Sequence, residues 1–147
     1  MTTEGIVLLV VGVLGLIVAV LLAVRWLTSR RLKAIWQRFP NAQRAAQANF
    51  YGQESKGKGQ LRGSGVLVLL PDQLLFEMLA PRRQHAIPRN HIIRTESPSA
   101  YLGKTNFRPL LKVVFQGETG KLDSMAWLVQ DVPAWQAQIS VPPPVQQ

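Results

Sequence analysis

The sequence predicts a mainly β domain of seven short strands closed by one C-terminal helix, preceded by a single transmembrane helix. Three observations carry that reading. Gly5 to Val24 is an uninterrupted apolar run. From Asn49 onward, β-branched and aromatic residues replace alanine, and turn residues recur at short intervals, which is an all-β signal. Near the C-terminus, Val132, Trp135 and Ile139 repeat at i, i+3 and i+7 behind Asp131, a residue suited to cap a helix.

Gly5–Val24 holds no charge, amide or hydroxyl, and fifteen of its twenty residues are Leu, Ile or Val. A helix rises about 1.5 Å per residue, so the run spans about 30 Å, the depth of a bilayer's hydrocarbon core. Only Glu4 is charged ahead of it, apart from the α-amino group. A cleaved signal would show a basic leader, a shorter apolar core and a small-x-small site. The segment reads as an uncleaved anchor. Its C-terminal flank carries Arg25, Arg30, Arg31, Lys33, Arg38 and Arg44 with no acidic residue. The positive-inside rule then places the N-terminus outside and the rest of the chain in the cytoplasm. Arg25, Trp26, Arg30, Arg31 and Lys33 are the expected interface residues, with Trp26 at the depth of an interfacial aromatic.

The flank reads as helical to Phe39. Leu32, Ile35, Trp36 and Phe39 share one face, and Pro40 stops the helix. Two arrangements fit: a helix lying on the inner leaflet, or a continuation of the membrane helix. Asn41 is positioned to cap a second short helix over Ala42–Ala48, rich in Ala and Gln. The expected organisation is an outer N-terminus (1–4), a transmembrane helix (5–26), a basic juxtamembrane helical region (27–48), a β domain (49–140) and a flexible Pro-rich tail (141–147).

Within the domain the expected strands are Phe50–Ser55, Gly65–Leu70, Leu74–Leu79, Gln84–Ile87, Ile92–Ser97, Leu110–Gln116 and Met125–Gln130. Lys56–Arg62 is a basic, glycine-rich loop. Pro71-Asp72-Gln73 makes a tight turn with proline suited to its second position, so the second and third strands form a hairpin. Pro98–Pro109 is a long loop.

Certain of these segments resemble the pleckstrin-homology superfamily, and most of all its GRAM and bacterial PH-like branch. A Gly-led apolar strand, Gly65-Val-Leu-Val-Leu-Leu, is followed by a tight turn and Leu74-Leu-Phe76. Ile87-Pro88 is followed by Ile92. Trp127-Leu-Val-Gln-Asp131 runs into a helix bearing Trp135. The likeness covers about residues 50–140. Pro71 stands where that branch usually has Thr, and the closing helix is short. The resemblance implies a seven-stranded barrel or split sheet with a capping α-helix. It also implies binding of lipid headgroups or proteins rather than catalysis.

The chain carries 17 Lys plus Arg against 8 Asp plus Glu, a net charge of +9. Such a balance suits an anionic partner. In an up-and-down meander, loops after the first, third and fifth strands share one pole. They hold Lys56, Lys58 and Arg62, then Arg82 and Arg83, then Lys104 and Arg108, which are the candidate anion- or lipid-binding residues. The opposite loops hold Asp72, Arg89, Glu118, Lys121 and Asp123. The lysine and later basic-x-Arg triplet of phosphoinositide-specific members is absent from Lys58-Gly-Gln-Leu-Arg62.

Other chemistry is poorly represented. The absence of cysteine excludes disulfides and thiolate chemistry. Gly57-Lys-Gly-Gln-Leu-Arg-Gly63 lacks Walker spacing and misses the dinucleotide fingerprint. His85 and His91 stand without a carboxylate constellation, so no metal, cofactor or catalytic residue is expected. Aromatics make up 7% of the chain and form no stacking platform for nucleic acid. The expected function is a membrane-anchored binding module contacting the bilayer and its anionic headgroups. The alternative is a scaffold for another membrane protein or an acidic protein.

Overall fold

The computed structural model describes residues 2–105 and 107–140. The chain divides into two compact units, Met1–Arg38 and Phe39–Gln147. The sequence-predicted tail, 141–147, lies outside the described residues.

The first unit is one helix, α1 (Thr3–Arg38), 36 residues long. It is long and apolar enough to cross a membrane, and none of its most apolar window is buried. Glu4 in its first turn and Arg38 in its last complement the helix dipole. Past the apolar run, the hydroxyls of Thr28 and Ser29 donate back to the carbonyls of Val24 (2.8 Å) and Arg25 (2.9 Å), so neither donor is left open. The Arg30 guanidinium stacks over Trp26 at 3.7 Å. The helix ends at Arg38, because Pro40 disfavours helical geometry at Phe39.

The second unit opens with a tight turn, in which the Ala42 amide donates to the Phe39 carbonyl at 3.0 Å. The expected helix over Ala42–Ala48 does not form. That segment belongs instead to the first strand, β1 (Arg44–Gln53). Helix propensity, even that of alanine and glutamine, is overridden by tertiary pairing: Arg44–Ala48 is paired residue by residue with β2, and from Ala48 onward with β9 as well. Ala48 faces Gly65 on one neighbour and Val129 on the other. The β domain therefore begins at Arg44, five residues before the expected boundary.

The strands that follow are β2 (Gly63–Leu69), β3 (Gln73–Met78), β4 (Arg83–Pro88), β5 (Ile92–Glu96), β6 (Ala100–Tyr101), β7 (Lys104–Thr105), β8 (Leu111–Gln116) and β9 (Leu122–Val129). Seven of them form one antiparallel sheet in the order β4-β3-β2-β1-β9-β8-β5. β6 and β7 make a separate small hairpin inside the predicted long loop. The large sheet ends at β4 and β5, which are not hydrogen-bonded to each other, so the sheet is not closed. With the helix α2 (Val132–Ser140) the unit is mixed α and β.

One face of the sheet and α2 enclose the main core. Phe50, Phe76 and Trp127 meet there with ring centroids 5.5–6.1 Å apart. Val132, Trp135 and Ile139 of α2 pack onto the same cluster, at the spacing the sequence predicts. Asp131 starts this helix in a left-handed conformation (φ 58°) that aspartate tolerates, and its carboxylate accepts the Ala134 amide at 3.4 Å. On the opposite face the β6–β7 segment packs through Tyr101 and Leu102 against Ala126, Leu128 and Tyr51. This placement of the small hairpin positions the candidate site.

Candidate anion-binding loops

The β1–β2 connection leaves β1 through a single 3-10 turn, Glu54–Lys56. A buried polar network fixes that exit. The Asp123 carboxylate, only 8% exposed, accepts from Gln53 Nε2 (2.6 Å), the Ser55 hydroxyl (2.7 Å) and amide (3.0 Å), and the Ser124 amide (2.8 Å). Burial alone would push this carboxyl up. The hydrogen bonds from Gln53, Ser55 and Ser124 more than offset it and hold the group below the ordinary carboxylate range. Ser124 Oγ donates to Glu54 Oε2 at 2.8 Å, and the Tyr101 hydroxyl donates to the Ser124 carbonyl at 2.8 Å. Burial pushes the Tyr101 phenol up to about 12.

From this fixed exit the loop carries three candidate cations. Lys56 and Lys58 are exposed, and Arg62 is half-buried. Gln60 braces the loop by accepting the Gln53 amide (2.7 Å) and donating to the Gln53 carbonyl (2.7 Å) and to the Gly57 carbonyl. Gly52 is confined to glycine here, by its φ of 130° and by Gln60, whose amide a Cβ would meet at 2.8 Å.

The β6–β7 hairpin comes up against this loop. Arg62 Nη2 donates to the Leu102 carbonyl at 3.4 Å. Lys58 Nζ lies 3.4 Å from the position a Cβ would take on Gly103. Lys104 is therefore delivered two residues from an established contact. Arg108 lies exposed between this hairpin and β8. The β3–β4 turn joins from the other side. Leu79 donates its amide to the Ser64 carbonyl at 3.1 Å, two residues beyond Arg62. Arg82 and Arg83 follow, both exposed.

His85 lies beneath, stacked on Phe50 at 4.5 Å. Burial first, then the positive charges of Lys56 and Arg83, hold its imidazole below the ordinary histidine value. Those two loops therefore share one electrostatic environment. Among the described residues, none of the seven candidate cations forms an ion pair with a carboxylate.

The three basic loops are neighbours, but not for the reason the meander count supplies. Pairing of β9 with β1 makes β5 run in the same sense as β2 and β4, so strict alternation fails at the β4–β5 step. It is the folding of the long loop across the sheet's outer face that brings Lys104 to Lys58. The opposite set does not hold together either. Asp123 lies at the β1–β2 end, where it holds Ser55. Arg89 is buried, 6% exposed, and donates to Gln43 Oε1 (2.8 Å) and the carbonyls of Gln138 (3.0 Å) and Ile139 (3.5 Å), capping the end of α2. The Asp123–Glu54–Tyr101 network and the Arg89 cap went undetected in the sequence because their members are far apart along the chain.

The predicted interface residues Arg25, Trp26, Arg30, Arg31 and Lys33 all lie on α1 just beyond the apolar run, and all are exposed. Among the described residues no group of three or more His, Cys, Asp or Glu side chains could hold a metal ion.

No protein-family model matches this chain, and no curated protein does. Among solved structures, it is similar to the C-terminal domain of an unknown protein from Leishmania infantum. The TM-score is 0.51 at 13% identity, covering 74% of this chain and 94% of that one. At that identity the likeness concerns the fold alone.

Proposed function

We propose that the chain is a single-pass membrane protein whose C-terminal unit is a PH/GRAM-like binding module on the cytoplasmic face, contacting anionic lipid headgroups. One observation supports this most: cations from three loops, Lys56, Lys58, Arg62, Arg82, Arg83 and Lys104, lie in one neighbourhood and, among the described residues, form no ion pair with a carboxylate. An open seven-stranded antiparallel sheet capped by a C-terminal helix fits the split-sheet form of that superfamily. The unburied apolar window of α1 and its basic flank fit a membrane anchor oriented with the N-terminus outside. The module acts by binding, without catalysis. Tethering raises its effective concentration at the leaflet, so weak intrinsic affinity suffices.

Co-sedimentation of residues 39–147 with phosphatidylglycerol-rich and phosphatidylcholine vesicles tests this. Binding to the anionic vesicles only, falling as salt rises, is expected. Absence of binding at low salt would remove the lipid reading and leave an acidic protein as the partner.

A further inference from the structure

Each of the three basic loops also presents one large apolar side chain to solvent. Leu61 is 50% exposed beside Arg62, Leu79 is 39% exposed ahead of Arg82, and Phe107 is fully exposed beside Arg108. Among the described residues outside α1, the other exposed large apolar residues are Ile93 and Leu122. Isolated exposed leucines are ordinary. Three on neighbouring loops, each within three residues of an arginine that forms no ion pair with a carboxylate among the described residues, are a different pattern; Ile93 adjoins Arg94, which is paired with Glu96. Apolar tips inside a basic collar match the layering of an anionic bilayer surface, where phosphates overlie hydrocarbon. The same side chains suit an acidic protein less well, since Phe107 has no concave wall around it.

We propose that Leu61, Leu79 and Phe107 insert into the hydrocarbon of an anionic leaflet while the surrounding cations hold its headgroups. This deepens, and rests on, the lipid-binding reading above. The leaflet is that of the membrane holding α1, because the tether keeps that bilayer at a far higher effective concentration than any other.

The chain has no native cysteine, so single spin labels can be placed without background. The full chain is reconstituted into vesicles carrying one label at Leu61→Cys, Phe107→Cys or Gly59→Cys. A Cβ at Gly59 meets nothing within 4 Å, so this label serves as a headgroup-level reporter. The expected result is that the Leu61 and Phe107 labels gain oxygen accessibility and lose nickel-chelate accessibility in phosphatidylglycerol-rich vesicles, and stay wet in phosphatidylcholine. If both tips stay wet while the Gly59 label still senses anionic headgroups, insertion is wrong and headgroup binding stands. If all three labels stay wet and mobile, both readings fall. Quenching of the tip labels only when separate anionic vesicles are added would overturn the assignment to the anchor's own membrane.

Discussion

Replacing Arg89 by alanine should destabilise the second unit by about 2–4 kcal/mol. The magnitude follows from what the guanidinium touches. It is 6% exposed and donates to two carbonyls at the end of α2 and to Gln43. A hydrogen bond from a charged donor contributes about 1.5–3 kcal/mol, and a cation at a helix C-terminus adds about 0.3–1 kcal/mol. Relief of the arginine's own desolvation and partial rehydration of the freed carbonyls cut that sum, leaving about 2–4 kcal/mol. Thermal unfolding of residues 39–147 followed by circular dichroism is the assay. For a unit of this size, about 1 kcal/mol lowers Tm by about 4–8 °C. Arg94→Ala is the control, because Arg94 is exposed and pairs with Glu96 across solvent, where such a contact contributes no more than about 1 kcal/mol. If Arg89→Ala unfolds no earlier than Arg94→Ala, the buried cap is not holding α2 to the sheet.

Gly65→Ala should cost roughly 3 kcal/mol, because a Cβ there would lie 2.0 Å from the Glu77 carbonyl oxygen, on a strand pair that cannot separate; urea unfolding would show it as a lower midpoint with an unchanged slope. Asp123 is held below the ordinary carboxylate range, so its contribution is complete above the unfolded value of about 3.9 and is lost as pH falls through the folded one. Asp123→Asn should therefore lower stability at neutral pH and flatten its decline in acid, as read by unfolding midpoints across that range. The His85 imidazole is held low partly by Lys56 and Arg83. A bound anion that neutralises those charges should raise its pKa toward the ordinary value, and an NMR titration in which added anionic lipid leaves it unmoved would place the anion elsewhere.

Much of the fold could be read along the chain because its signals are local. The apolar run and Pro40 bracket α1 within a few residues. Pro71-Asp72-Gln73 marks the β2–β3 turn, and the spacing of Val132, Trp135 and Ile139 gives α2 its buried face. Residues 44–48 depart from the expected helix because alanine and glutamine carry little strand preference of their own. Their conformation is imposed by pairing with β2, joined by β9 from Ala48 onward, and both lie well along the sequence. The β6–β7 hairpin was missed for a related reason: two-residue strands lack a period, and Tyr101 orders the segment by reaching Ser124. Of the candidate site, the seven cations can be read from the charge of their loops, and the structure brings loops bearing six of them, all but Arg108, into one neighbourhood. Their juxtaposition cannot be read so, because the meander count puts Lys104 at the correct end by an argument the strand pairing does not obey. Arg89 reads as a loop charge, since its partners Gln43, Gln138 and Ile139 lie about fifty residues away along the chain.

The central claim is that cations on three separate loops form one anion-binding surface. It is tested most directly by vesicle partitioning of residues 39–147 carrying Lys58→Gln, Arg83→Gln and Lys104→Gln. The comparison is a variant with the same net charge change at exposed positions elsewhere, Gln47→Glu, Asn90→Asp and Gln130→Glu. At about 1 kcal/mol per cation near an anionic surface, the loop variant should bind phosphatidylglycerol-rich vesicles roughly a hundredfold more weakly at low salt. The comparison variant should lose far less. Equal losses in the two would mean that net charge alone drives binding, and would contradict the claim.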